Sequence, residues 1–193
     1  MNRTLKKLIF SEKKRLLTLV VIFVIALMLS ALIFLVTEHD NFASINYLSI
    51  SKMTLTEIFL KTLKKNLIYF ISIILLTCIG KSNIINGLFG LISIYYGLSV
   101  IYMIRAMQFN KVYFIFIFTD YFIFFPLLFY FTYISSSVSK YTKKTKNVET
   151  ISHKFDIIIS SYIKLSFIYI GIIIAYSFSY SYFILLLSRL LVR

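Results

Sequence analysis

The sequence predicts an all-α fold, a polytopic bundle of about five transmembrane helices with its N-terminus in the cytoplasm, and three observations lead there. Charge is sparse: 15% of the 193 residues are charged and 60% are hydrophobic, with a mean hydropathy of +0.88. A soluble domain runs nearer a quarter charged and half apolar. The apolar residues are also gathered into runs. Residues 16–36, 66–80, 82–104 and 165–188 carry no charge, and 112–139 carries Asp120 alone. Finally, the basic residues sit in short polar segments between those runs. A globule of this size has no interior able to hide so many long apolar runs from water. One integral membrane domain, 1–193, accounts for all of them.

Taken in order, residues 1–15 form a basic head with Arg3, Lys6, Lys7, Lys13, Lys14 and Arg15 against Glu12. The first span, 16–36, measures about 31 Å as a helix and matches a hydrocarbon core of about 30 Å. It is longer than the apolar region of a cleaved signal peptide and reads as an uncleaved span. From Lys52 to Lys65, apolar Met53, Leu55, Ile58, Phe59 and Leu63 alternate with Thr54, Glu57, Lys61 and Lys64 at helical spacing. This predicts an amphipathic helix at the outer interface. It feeds a short second span, 66–79, with Lys64 and Lys65 snorkelling outward. Gly80-Lys81-Ser82-Asn83 is a tight turn. The third span covers 84–104 and the fourth 112–134. A polar, basic cytoplasmic loop covers 139–164, amphipathic again toward its end, and the fifth span is 165–187.

With the N-terminus inside, thirteen Lys and Arg fall on inner segments and eight on outer ones, so the positive-inside rule favours that orientation. The formal net charge of +14 therefore meets the anionic headgroups of a lipid bilayer, and nucleic acid is not the expected partner. Heavy use of Ile, Lys, Asn, Phe and Tyr with no Trp resembles translation of an AT-rich bacterial genome. The single Cys78 lies in an apolar run, where it reads as a small packing residue.

Few residues are candidates for a site. Gly87, Gly90, Ser93 and Gly97 place small side chains along one stripe of the third span, the pattern that lets helices approach closely in lipid. That stripe packs against span two or four, or receives a partner protein, and Gly90→Leu should wedge the contact apart. Asp120 lies about 12 Å into the fourth span, where a carboxylate costs about 2.5–3.5 kcal/mol unless it is protonated, paired or turned toward protein. It is either a structural hydrogen-bonding group or a proton or ion site. Pro126 removes a backbone hydrogen bond and should kink the helix in the turn before it. Asn66 opens the second span with a polar side chain. Lys140, Lys143, Lys144 and Lys146 form a polybasic patch that anchors topology, contacts anionic lipid or docks an acidic partner. The outer half of span five is rich in Tyr and Ser, as in an aromatic interfacial belt. His39 and His153 lie in polar segments outside any HExxH, and no GxSxG or Walker loop occurs. No catalytic, cofactor or metal residues are assigned, and the chain is not expected to be an enzyme.

The order of features over 57–131 resembles the stage II sporulation protein M family of small polytopic membrane proteins from Gram-positive bacteria. The likeness is carried by the amphipathic run from Phe59 to Asn66, a short span ending Ile79-Gly80 and a glycine-bearing span from Gly87 to Gly97. It ends with Asp120 six residues before Pro126, in Phe125-Pro126-Leu127-Leu128. The chain departs from the family at Ile94 and Tyr95, where more glycine is usual, and in a first span without glycine. The resemblance implies a non-catalytic cell-membrane component of an envelope complex. In spore formers that complex serves engulfment and septal peptidoglycan remodelling beside a peptidoglycan hydrolase. Relatives at bacteriocin loci accompany transport and self-immunity proteins. A second class of function, a permease-like subunit of an exporter with an ATPase partner, would use Asp120 and the polar half of span five to line a path.

Overall fold

The computed structural model describes residues 13–37, 53–107, 120–145 and 152–191. Almost all of them are helical. Helix α1 is Lys13–Thr37, α2 is Leu55–Ile79 and α3 is Ser82–Met107. A π-helical turn, Asp120–Phe124, leads directly into α4, Phe125–Thr145, and α5 is Ser152–Leu191. Among the described residues, five helices are long and apolar enough to cross a membrane.

Local chemistry fixes the helix ends. Thr54 caps α2 in a capping box: its hydroxyl accepts from the Glu57 amide at 3.3 Å, and the Glu57 carboxylate accepts from the Thr54 amide at 2.8 Å. At the other end Gly80 turns the chain in the left-handed region, φ 80°, so that its amide and that of Lys81 reach the Leu76 and Thr77 carbonyls. Gly80→Ala is expected to cost about 1 kcal/mol, because an L side chain resists that φ. Thermal unfolding of the detergent-solubilised protein, with Gly80→Asn as the milder substitution, checks it.

The amphipathic lead-in at 55–65 and the second span are one unbroken helix of roughly 37 Å at 1.5 Å per residue. Its buried seam runs from Ile58 through Asn66, Phe70 and Ile73 to Thr77. A further difference concerns 135–164. The sequence suggests a fourth span at 112–134 and a cytoplasmic loop at 139–164, yet α4 continues to Thr145 and α5 begins at Ser152, so most of that loop is helix. The membrane-compatible stretch of this part runs past the expected end at 134 to Thr142; residues 112–119 lie outside the described residues. The cause is in the hydroxyls. Thr132, Ser137 and Thr142 donate to their own helix carbonyls at Leu128, Tyr133 and Val138 over 2.8, 2.9 and 3.0 Å. A polar run is thereby made compatible with an apolar surrounding.

α4 is the centre of the bundle. Residues 131–139 are all buried, which in a helix requires neighbours on every side. Those neighbours are α1, α2, α3 and α5, while α1 lies chiefly on α3 and α2 chiefly on α5. An aromatic column runs through this centre. Phe70 of α2 sits 5.0 Å from Phe131 and 6.1 Å from Phe124, Phe131 reaches Tyr169 of α5 at 4.7 Å, and Phe125 reaches Phe23 of α1 at 4.8 Å and Phe89 of α3 at 5.7 Å.

The distribution of polarity is the reverse of a water-soluble protein. Ser30, Asn66, Ser93, Ser135, Ser139, Ser177 and Ser181 are buried, while Leu17, Met28, Leu35, Leu91, Phe167 and Ile168 are each more than half exposed. Apolar surface so continuous belongs in hydrocarbon.

Candidate functional site

The bundle brings its polar groups together at two levels. The first lies where the start of α1, the α2–α3 turn, the end of α4 and the start of α5 meet. Here Thr77 donates to the Ile73 carbonyl at 2.7 Å, so its oxygen is free to accept from Tyr162 at 3.1 Å. The single Tyr162 proton is thus committed, and Ser135, 2.8 Å away, is the donor to Tyr162. A directed chain results: Ser135 to Tyr162 to Thr77 to the Ile73 carbonyl, tying α4, α5 and α2. Such a chain polarises along its length in a low-dielectric interior. Beside it, the Arg15 guanidinium of α1 donates to the Ser136 carbonyl and, at 3.1 Å, to the Ser136 hydroxyl. Among the described residues, Ser139 Oγ and Asn86 Oδ1 are buried without a hydrogen-bond partner. Tyr162→Phe should lower stability by about 0.5–1.5 kcal/mol, the scale of interhelical hydrogen bonds in membrane proteins. The midpoint of denaturation by sodium dodecyl sulfate reports it, and Tyr130→Phe, at an exposed tyrosine, should leave that midpoint unchanged.

The second level lies toward the other end. The Asn66 amide donates to the Ser177 hydroxyl at 3.2 Å, and Ser181 donates to the Ser177 carbonyl at 2.6 Å. Tyr176 stacks on Phe124 at 5.5 Å and on Tyr180 at 5.7 Å. The Tyr and Ser groups of α5 named here therefore serve packing. Lys65 does not point away to solvent: its ammonium lies 5.2 Å and 5.0 Å from the ring centres of Tyr95 and Tyr96. A desolvated cation over aromatic faces gains up to about 2 kcal/mol. Tyr96 in turn meets the Tyr121 ring at 5.9 Å, and the Tyr121 hydroxyl donates to the Tyr96 carbonyl. A basic residue therefore lies two ring contacts from the turn that begins at Asp120, although the sequence offers none at an obviously matching depth. The Asp120 side chain lies outside the described residues. Pro126 is exposed and is the second residue after the π-helical turn. Its absent amide cannot close the bond to residue 122, and a widened turn upstream relieves the ring.

The small-residue stripe faces α1, and not α2 or α4. A methyl group on Gly97 would lie 2.4 Å from the Ser30 hydroxyl, and one on Gly90 would lie 3.2 Å from Ile22. Ser93 is buried and bonds the Phe89 carbonyl at 2.8 Å. Gly87 is different: nothing lies within 4 Å of its added methyl, since it is rotated about 60° from Gly90 at 100° per residue. Cys78 is exposed and is not a packing residue. Lys140 is half-buried on α4; the side chains of Lys143 and Lys144, and all of Lys146, lie outside the described residues. Among the described residues, no three His, Cys, Asp or Glu come together as a metal site would require.

Residues Arg15, Thr77, Ser135, Ser136 and Tyr162 were not marked by sequence motifs. One signal was available: Thr132, Ser135, Ser139 and Thr142 recur at spacings of three, four and three, a helical hydroxyl stripe. Compared with known proteins, the chain matches no protein-family model, no curated protein and no solved structure.

Proposed function

We propose that this chain is a non-catalytic, multi-pass component of the cytoplasmic membrane of a Gram-positive bacterium, resembling the stage II sporulation protein M family. In this reading it braces or recruits other membrane proteins in an envelope complex, of spore engulfment and septal remodelling or of bacteriocin transport and self-immunity. The observation that carries the reading is the run of nine consecutive buried residues, 131–139, in α4. A helix enclosed on all sides makes the bundle a solid body at that level, and its interactions are then made at its periphery. The burial of Ser177 and Ser181, with their hydroxyls engaged, weighs against a conducting path along α5.

The orientation follows the same logic. Arg15, Lys81 and Lys140 belong to the end of the bundle where α1 starts, α2 turns into α3 and α4 closes, and cationic ends of this kind stay in the cytoplasm. Extraction of the tagged full-length chain from native membranes in mild detergent tests the proposal. Stoichiometric co-elution of an envelope membrane protein, a peptidoglycan hydrolase among them, is the expected result. Recovery of an ATPase, with substrate efflux lost on Asp120→Asn, would replace it with the exporter reading.

A further inference from the structure

α2 and α3 are joined by a two-residue turn, Gly80 and Lys81, yet they touch each other sparsely. Each leans on a different neighbour: α2 on α5, α3 on α1, with α4 behind both. The two helices splay as a result and leave an outward-facing groove of about 770 Å³ lined by Leu75, Leu76, Ile84, Gly87, Leu88 and Leu91. That volume falls within the roughly 300–1,000 Å³ range of ligand-sized clefts. Its walls are aliphatic but for Ser72, and its recess is deepened at Gly87, where an added methyl group would meet nothing within 4 Å. Lys81, exposed, stands in the turn that joins the two helices at one end of the groove. The groove is open along its length to whatever surrounds the bundle, and it is cationic at the end nearest Arg15 and Lys140.

We infer that this groove is a binding site for an anionic phospholipid, with an acyl chain between α2 and α3 and the phosphate at Lys81. An aliphatic slot accepts a methylene chain, and the charge at its mouth selects an anionic headgroup over a zwitterionic one. The inference does not depend on which envelope complex the protein serves. A bound lipid would fill the gap left by the splay and hold α2 and α3 at a fixed separation. The periphery of the bundle at that point would then depend on lipid composition.

The absence of Trp makes the test direct. Leu91→Trp puts a single indole in the groove, and Val24→Trp puts one at the same depth on the outward face of α1, where Val24 is 46% exposed. Each variant is reconstituted in phosphatidylcholine vesicles containing a tenth of brominated phosphatidylglycerol, and quenching is read against mole fraction. At position 91 the brominated anionic lipid should be enriched about fivefold, the factor corresponding to roughly 1 kcal/mol per basic residue near anionic lipid. At position 24 quenching should follow mole fraction. Adding Lys81→Glu should abolish the enrichment while leaving quenching by brominated phosphatidylcholine, and Gly87→Phe should reduce quenching by both lipids. The first carbon added at Gly87 meets nothing within 4 Å and Lys81 is exposed; an unchanged melting temperature is the check that each variant folds. Equal quenching at the two positions, or enrichment that survives Lys81→Glu, would overturn the inference. Shielding of position 91 from every brominated lipid would overturn it too, and would assign the groove to a helix of a second copy or a partner.

Discussion

Gly97→Leu is expected to destabilise the folded bundle by about 3 kcal/mol, at the upper end of what overpacking costs. α1 and α3 run parallel and meet at Gly97, where even a methyl group would lie 2.4 Å from the Ser30 hydroxyl, 2.9 Å from the Ser30 Cβ and 3.3 Å from a Leu27 methyl. Rotating the hydroxyl away relieves the first of these contacts only. The second is to an atom fixed by the backbone, so the helices must separate. Separation also breaks the approach of the Ser30 hydroxyl to the Ile94 carbonyl, now 3.0 Å. Outside water, no hydrophobic force draws the helices back together, and the lost dispersion contact is not recovered elsewhere. The loss should be graded along the stripe. Gly97→Ala should cost about 1–3 kcal/mol, Gly90→Ala should cost less, and Gly87→Ala should cost nothing, because their added methyls meet Ser30, Ile22 and open space respectively. Combining Gly97→Ala with Ser30→Gly should recover part of the loss, which a double-mutant cycle of detergent unfolding measures. Equal changes at all three glycines would point away from the α1–α3 contact.

The five membrane-length helices among the described residues, and the position of α1, α3 and the core of α5, are legible in the sequence because charge-free runs of that length have few alternatives. Gly80 is legible as a turn for the same kind of reason, since its φ of 80° suits no side chain well. What is not legible comes from pairings between helices. Serine counts as polar in any hydropathy average, so the fourth span is expected to end at 134, before Ser135; in the structure Ser135 and Ser136 are satisfied by Tyr162 and Arg15, residues 27 and 121 positions away. The small stripe is visible in α3, and α1, which lacks glycine, answers it only with the small pair Ala26 and Ser30, both buried, on the face that also carries Ile22. Lys65 reads as an interfacial lysine until Tyr95 and Tyr96 are brought beneath it by α3. In each case the residue type was visible and its partner was not, because spacing along one helix says little about the rotation of the next.

Phe70→Ala should cost about 2 kcal/mol, below the roughly 3–5 kcal/mol of the same truncation in a water-soluble core. Phe70 is fully buried and touches the rings of Phe124, Phe131 and Tyr169, so that the π-helical turn, α4 and α5 all close on it from α2. In a soluble protein, part of the cost of losing such a ring is its transfer from water. In a bilayer the ring of a separated helix rests among acyl chains, which are as apolar as the core, and that part vanishes. What remains is the cavity and the lost dispersion and ring–ring contacts, the latter about 0.5–1.5 kcal/mol per aromatic pair at most. Phe70→Leu, which keeps most of the volume, should cost about half as much, whereas Phe167→Ala, at a ring that is 70% exposed, should change nothing. The three variants, unfolded in mixed micelles of fixed composition, separate packing from solvation. If Phe70→Ala costs as much as in a water-soluble core, the chain's unfolded segments are meeting water, and the helices are not held in lipid when they part.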